Sequence, residues 1–194
     1  NDCNLILLGY KRAEDPMENS VIRRVIVNQP CDVTVYKADE AWETPPERIL
    51  MPVRGGDVHD YLKVRFLQSL QREGPVRVTI LTVVPPETDA GEQEDLRRQL
   101  ERQAESYHLE EVEIVVEAVE DIPEVIGRRA RDQELLILGM HEEPWLRSFF
   151  FGTLAQQIAQ RVTTPTLLTK TMEPGRSGLK RLLSRLRGGD GEAG

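Results

Sequence analysis

Residues 48–53 read Arg-Ile-Leu-Met-Pro-Val, a short apolar run of the kind that forms a buried strand in a parallel sheet. A helix is predicted directly afterwards, because Asp57 can accept a hydrogen bond from one of the free amides in a first helical turn. The apolar positions of this helix recur every four residues, at Val58, Leu62, Phe66 and Leu70. A buried strand followed at once by an amphipathic helix predicts the first half of a strand–helix–strand unit.

The same alternation continues to residue 170. Further strands are predicted at residues 76–84, 112–119, 135–138 and 166–170. The intervening helices have apolar stripes at Leu96, Leu100, Ala104 and Tyr107, at Ile122, Val125, Ile126 and Ala130, and at Leu154, Ile158 and Val162. Asp121 is predicted to cap the second of these helices, and the acidic residues 87–94 to form a solvated connection. Strands separated by helices predict a doubly wound α/β fold, with a parallel five-stranded sheet, helices on both faces and a ligand site at the carboxyl ends of the strands.

Part of this pattern occurs twice in the chain. Residues 5–9, Leu-Ile-Leu-Leu-Gly, match residues 135–139, Leu-Leu-Ile-Leu-Gly. Two further matches follow in the same order: residues 19–25 with 152–158, and residues 30–37 with the segment that ends at Lys170. The repetition predicts a tandem of two related modules.

The repeat also predicts the domain boundaries. Residues 1–38 correspond to the last third of a first module, residues 39–47 to a linker, and residues 48–171 to a complete second module. Residues 172–194 are predicted to form a basic amphipathic tail with a flexible end. Because a buried strand begins so close to Asn1, the chain is expected to be a fragment of a longer protein.

Composition excludes several classes of protein. A formal net charge of -8 over 194 residues disfavours nucleic-acid binding, which requires a basic face to neutralise phosphates. Cys3 and Cys31 have neither the spacing of metal ligands nor that of a disulfide framework, which favours a reducing cytosol. No apolar segment reaches the roughly 20 residues of a membrane-spanning helix. A soluble cytoplasmic domain is therefore expected.

The sequence offers no constellation of catalytic or metal-binding residues. His59, His108 and His141 lie far apart, and no cysteine or carboxylate stands at ligand spacing beside them. Neither the glycine-flanked serine of the hydrolases nor the glycine-rich lysine loop of the P-loop proteins occurs. We therefore predict no catalytic residue and no metal site, and the chain is not expected to be an enzyme.

The loop from Gly139 to Gly152-Thr153 has glycines where a backbone would approach a phosphate, next to the start of a helix. With this loop, residues 48–53 and the terminal segment 164–168, the region 48–170 resembles the universal stress protein family. Nucleotide-binding members of that family have a glycine, two residues, a second glycine, nine residues, a third glycine and then serine or threonine. Gly139, Gly152 and Thr153 fall on this pattern, and Glu142 occupies the place of the middle glycine.

The resemblance implies a site for ATP or another adenine nucleotide. Its residues would be Val53, Arg54, Gly139, Met140, Gly152 and Thr153. Arg54 stands where ATP-binding members have an aspartate that contacts the nucleoside, which leaves a cyclic dinucleotide as an alternative ligand. The other alternative is that Gly139 and Gly152 only shape a turn and a helix start.

The resemblance also implies association through the last strand of each module, because members of the family dimerise in that way. The residues of such a module or dimer interface would be Val33, Val35, Thr166, Leu167 and Leu168. Self-association as a homodimer is therefore expected.

Tandem modules of this family recur as cytosolic tails of prokaryotic transporters and channels. The leading prediction is thus a regulatory or assembly domain on the cytosolic face of a membrane secondary transporter or channel, whose transport domain belongs to the same polypeptide. The tail has leucines on one helical face, Leu179, Leu182, Leu183 and Leu186, and basic residues largely on the other, as contact with an anionic membrane surface requires. A tail helix packed on its own domain is the alternative to membrane contact. The alternative function is a free-standing universal stress protein that binds ATP or AMP.

Overall fold

A computed structural model describes residues 4–10, 21–27, 31–38, 44–56, 58, 61–140, 158–159 and 161–171. The strands are β1 (Leu5–Tyr10), β2 (Asp32–Lys37), β3 (Arg48–Val53), β4 (Arg77–Val84), β5 (Val112–Ala118), β6 (Leu135–Gly139) and β7 (Thr166–Lys170). The helices are α1 (Val21–Val27), α2 (Tyr61–Glu73), α3 (Ala90–Ser106) and α4 (Ile122–Ala130). Residues 158, 159 and 161 are also helical.

The described strands form one sheet of seven, in the order β1-β2-β7-β6-β3-β4-β5. All neighbouring strands run parallel except β2 and β7, which are antiparallel. The predicted doubly wound α/β fold is confirmed, whereas the prediction of five strands is wrong. The sheet is larger because β2 forms backbone hydrogen bonds with the edge of β7 and is itself paired with β1.

Successive residues of the interior strand β3 contribute to two separate cores, as the alternation of side chains in a strand requires. Ile49 and Met51 pack in the cluster that α2 and α3 cover, together with Val64, Leu67, Leu100 and Ala104. Leu50 packs on the opposite face, in the cluster that α1, α4 and the residues Ile158, Ala159 and Val162 cover. The sheet is thus buried between two helical layers.

The helix starts follow the capping residues more closely than the charge pattern. Asp121 Oδ1 accepts a hydrogen bond from Glu124 N at 3.0 Å, as predicted for the start of α4. Asp89 does the same for Glu92 N at 2.9 Å, so α3 begins at Ala90. The prediction that residues 87–94 form only a connection is wrong, because an N-cap aspartate outweighs the acidic composition of the segment.

We call the antiparallel pairing of β2 with β7 the β2–β7 seam. The two strands that pair in it are also two strands that the sequence repeat matches with each other. The register places Val35 opposite Leu168, and the repeat matches these same two positions. The parallel pairs on either side agree as well, since Leu7 lies opposite Thr34 and the matching Ile137 lies opposite Leu167. A local two-fold axis therefore passes between Val35 and Leu168.

Two lysines make reciprocal contacts across this axis. Lys37 Nζ donates to Val162 O at 2.7 Å, next to helical residue Arg161. Lys170 Nζ donates to Ile26 O at 3.3 Å, in the last turn of α1. A cation at the carboxyl end of a helix interacts favourably with carbonyl groups that have no partner within the helix. Lys37, at the end of β2, thus stabilises the helix that precedes β7, and Lys170, at the end of β7, stabilises α1, which precedes β2.

Candidate functional site

The strands β3 and β6 are paired at one end only. Their ladder consists of Ile49–Leu135 and Leu50–Leu136. Beyond these pairs β3 continues with β4 as far as Val53, and β6 continues with β7 as far as Gly139. A gap therefore opens between the carboxyl ends of β3 and β6, which we call the β3–β6 crevice.

Pro52 explains why the ladder stops. Arg48 O accepts a hydrogen bond from Glu134 N at 2.9 Å, so the backbone groups of Arg48 point towards β6. The backbone N–H and C=O groups of successive residues point to alternate sides of a strand. Those of residue 52, four positions after Arg48, therefore also point towards β6. Because proline has no N–H to donate, pairing is lost on the side of β6 and kept on the side of β4.

The opposite end of this strand pair is held closed by side chains. The Glu134 carboxylate accepts a hydrogen bond from Glu47 N at 2.6 Å and forms an ion pair with Arg48 at 2.7 Å. These contacts lie at the amino ends of β3 and β6. The crevice consequently opens only at the carboxyl edge of the sheet, where helices on opposite faces leave room for a ligand in doubly wound folds.

Four of the six predicted nucleotide-site residues lie at this edge. Continuing the β3–β6 register places Val53 level with Gly139 and Arg54 level with Met140. Val53 packs on the cluster under α2 and α3, Met140 packs on the opposite cluster, and Arg54 is exposed. Gly152 and Thr153, like Glu142 of the same loop, lie outside the described residues. The structure thus brings together residues from two predicted segments that are far apart in sequence.

The turn after β3 is held by side chains from α3 that the sequence analysis missed. Gln99 Nε2 and Gln103 Nε2 both donate to Gly56 O at 2.7 Å, and Val58 N donates to Gln103 Oε1 at 2.8 Å. Val58 is accordingly buried in the loop before α2, which begins only at Tyr61, so its prediction as a helical position is wrong. The two glutamines are four residues apart, beside the apolar stripe of α3, and this spacing was the available signal.

Gly55 and Gly56 have separate reasons to be glycine. Gly55 has a φ of 62°, a left-handed conformation that residues with a Cβ adopt at a cost, and its carbonyl accepts a hydrogen bond from Thr82 Oγ1 at 3.1 Å. At Gly56 an added Cβ would lie 2.5 Å from Gln99 Nε2. The Gly55-Gly56 turn therefore has a structural role at the rim of the crevice.

The crevice has the chemistry of an anion or nucleotide site more than that of a metal site. Arg54 contributes a guanidinium, which hydrogen-bonds readily to phosphate oxygens, and Gly139 lets a ligand approach the backbone closely. Among the described residues no group of three or more His, Cys, Asp or Glu side chains could hold a metal ion. Of the three histidines only His108 is described, and it is an exposed residue just beyond α3.

The predicted interface residues lie in the seam. Val33 and Val35 belong to β2, Thr166, Leu167 and Leu168 belong to β7, and all five are buried. Tyr36 lies opposite Leu167, and burial raises the pKa of its phenol above the ordinary value of 10.0. Buried Cys31 stands just before β2, while Cys3 lies outside the described residues.

No helix in the described part of the chain is both long and apolar enough to cross a membrane.

Fold and crevice together define a class, the doubly wound α/β domains with a ligand crevice at the carboxyl edge of the sheet. A sequence model of the universal stress protein family matches residues 46–170. The chain therefore belongs to the universal stress protein family.

Solved structures share the fold at low sequence identity. A universal stress protein of Pseudomonas aeruginosa UCBPP-PA14 superimposes with a TM-score of 0.59 at 15% identity, over 96% of this chain and 68% of its own. One from Archaeoglobus fulgidus DSM 4304 gives a TM-score of 0.60 at 14% identity, over 88% of this chain and 62% of its own. This chain therefore spans about two thirds of the length of these proteins.

A third similar structure is a universal stress protein in complex with cAMP, with a TM-score of 0.52 at 14% identity. It matches over 66% of this chain and 100% of its own. No protein with a curated description matches the chain.

Proposed function

We propose that this chain is a nucleotide-binding, non-catalytic domain of the cytoplasm that takes ATP, AMP or another adenine nucleotide in the β3–β6 crevice. The observation that carries the proposal is the opening of the β3–β6 ladder after Leu50 and Leu136, at the carboxyl edge where Arg54 and Gly139 stand. The cAMP complex of a similar family member supports a nucleotide as the ligand class.

In this proposal the residues of the crevice have distinct roles. Arg54 contacts phosphate oxygens in place of the nucleoside contact that the resemblance assigns to an aspartate. Gly139 leaves the backbone of β6 open to the ligand, and Val53 and Met140 form apolar walls on the two sides. The Gln99 and Gln103 contacts to Gly56 keep the rim in place before a ligand arrives, which lowers the entropy cost of binding.

A thermal-denaturation titration with ATP, ADP, AMP and cAMP tests the proposal. Binding to the folded state raises the free energy of unfolding by about 2.7 kcal/mol at a ligand concentration 100 times the Kd. We expect a saturable rise in Tm with at least one nucleotide, and a loss of that rise in Arg54→Ala and Gly139→Val. Arg72→Ala, an exposed arginine of α2, is the matched control and keeps the rise. Unchanged Tm values at saturating concentrations of all four nucleotides would sink the proposal.

A second candidate function, assembly, is favoured by the seam. We propose that residues 1–38 are the last third of a first module, that residues 48–171 form a second, and that β2 and β7 join them. The shared register and the reciprocal lysine contacts support this proposal. Homodimerisation would use the same strand surface in a chain that lacks β2.

Attachment to a membrane transporter stays a prediction from the sequence, because none of the three similar structures described above is of a transport protein. The basic tail that would contact a membrane lies outside the described residues. Sequencing of the gene upstream of Asn1 tests the attachment directly, since membrane-spanning segments must then be encoded there. A reading frame that starts without them would refute it.

A further inference from the structure

A groove of about 410 Å³ runs along the exposed side of α4, between this helix and residues 161–164. We call it the α4 groove. Its volume falls in the range of about 300–1,000 Å³ that is typical of small-molecule sites. Thr163 and Thr164 lie three and two residues before the amino end of β7, whereas the β3–β6 crevice lies at the carboxyl edge of β6 and β3. The α4 groove is therefore a separate feature of the domain.

Three arginines line the α4 groove. Arg128 and Arg131 project from the last turn of α4 and the residue after it, and Arg161 lies across the groove. Arg128 forms an ion pair with Glu117 at 2.8 Å. Over the described part of the chain, the exposed guanidinium groups of Arg131 and Arg161 have neither a hydrogen bond nor an ion pair. Two cationic groups thus face the same groove without a carboxylate of their own.

The two acidic residues that line the α4 groove, Asp121 and Glu124, lie at the amino end of α4. Asp121 uses Oδ1 to cap α4 through Glu124 N. Glu124 is seven residues before Arg131, which corresponds to roughly 10 Å along the helix axis. That separation is about a Debye length at physiological salt, so the Glu124 carboxylate neutralises Arg131 only weakly.

Gly127 leaves the middle of the α4 groove open. Its φ is not positive, and an added Cβ would meet nothing closer than Val162 Cγ1 at 4.0 Å. Neither backbone conformation nor crowding therefore requires glycine here, although glycine inside a helix costs about 1 kcal/mol relative to alanine. A larger side chain at this position would fill the space between α4 and Val162.

We infer that the α4 groove binds a small dianionic oxyanion, with Arg131 and Arg161 as the groups that hold it. Guanidinium is planar and forms paired hydrogen bonds to the oxygens of phosphate or carboxylate, and two such groups suit a ligand with an anionic group at each end. Gly127 provides the room for the ligand. No covalent step is involved.

Isothermal titration calorimetry of the whole chain with pyrophosphate, at fixed ionic strength, tests this inference. We expect binding of one pyrophosphate at the α4 groove, and an affinity lowered at least about tenfold in the double variant Arg131→Ala/Arg161→Ala. The matched control is Arg72→Ala/Arg102→Ala, which removes the same charge from exposed positions of α2 and α3. This control is expected to bind as the unmodified chain does.

Two further variants separate this site from the crevice. Gly127→Met fills the α4 groove without changing charge and is expected to abolish pyrophosphate binding while the far-ultraviolet circular dichroism stays unchanged. Gly139→Val alters the crevice and is expected to leave pyrophosphate binding intact. Binding that survives in the Arg131/Arg161 variant, or that falls equally in the Arg72/Arg102 control, would overturn the inference. Loss of binding in Gly139→Val would place the anion in the crevice instead.

Discussion

Within the described part of the chain, the Thr34 hydroxyl is buried in β2 and has no hydrogen-bond partner. Its neighbour across the seam, Thr169, differs because Thr169 Oγ1 donates to Leu138 O at 3.3 Å. A buried polar atom without a partner loses its hydration on folding and gains nothing in return. Thr34 is thus a position where an apolar side chain of the same shape fits the site better than the natural one.

Thr34→Val should therefore stabilise the fold. We expect a gain of about 1 kcal/mol in the free energy of unfolding, which raises Tm by roughly 2–4 °C for a domain of this size. Differential scanning calorimetry measures the change. Thr169→Val is the matched control and should lower Tm, since it removes a hydrogen bond. A lower Tm in Thr34→Val would mean that the hydroxyl has a partner in solution.

The turn between β3 and α2 depends on contacts at Gly56 that leave no room for a side chain. An added Cβ would lie 2.8 Å from Gln99 Cδ and 2.9 Å from Leu96 Cδ1. Gln99 can move away only by giving up the hydrogen bond that its amide donates to Gly56 O. Gly56→Ala should therefore cost about 1–3 kcal/mol in the free energy of unfolding, as overpacking of a filled site does.

Urea denaturation followed by fluorescence is a direct measure of this cost. Gly74→Ala serves as the control, because an added Cβ at Gly74 meets nothing within 4 Å and its φ is not positive. We expect the control midpoint to stay close to that of the unmodified chain. Equal midpoints for Gly56→Ala and Gly74→Ala would show that the glutamines do not hold the turn rigidly.

The elements that local pattern determines were predictable from the sequence. The bounds of β3 and β7 agree with prediction, and Asp121 caps α4 as expected, because apolar runs and capping residues act over a few positions. The start of α2 was not predictable in this way. Val58 is held outside the helix by Gln103, which lies 45 residues further along the chain. Contacts of that range leave no local signature.

The candidate site was predictable to a similar extent. The alternation of strands and helices predicts Arg54 and Gly139 at one edge of the sheet, and both follow the last paired residues of β3 and β6 in the chain. The α4 groove was not anticipated, since Arg131 and Arg161 belong to different segments and only packing brings them to the same cavity. The seven-stranded sheet depends on the pairing of β2 with β7, which the family resemblance implies but which no local pattern of residues encodes.

At the scale of the whole molecule, the seam is the antiparallel junction of an otherwise parallel sheet. Removing β1, α1 and β2 would leave β7 as an open edge with buried residues such as Leu168 facing solvent. An exposed apolar edge strand pairs readily with another chain. The local axis between Val35 and Leu168 would then become a true two-fold axis between two copies.

We therefore expect a chain of residues 44–171 to form a homodimer through β7. Light scattering coupled to size-exclusion chromatography would measure its mass. Leu168→Lys in the same shortened chain should yield monomers, because a charge at the dimer axis is repelled by its copy. A shortened chain that is monomeric with natural Leu168 would count against the seam as an assembly surface.

The two strands of the β2–β7 seam are synthesised far apart in time on the ribosome. Lys37 is translated 125 residues before Val162, the carbonyl to which its ammonium donates. At about 5–20 residues per second, roughly 6–25 s separate the two, which exceeds the folding time of many small domains. Throughout that interval β2 can pair with β1 on one side only, and the edge with Val33 and Val35, which are fully buried in the finished fold, lacks its β7 partner. A nascent chain of this protein thus exposes an unpaired strand edge until β7 emerges from the ribosome. Holding chaperones are the cellular machinery suited to cover such an edge.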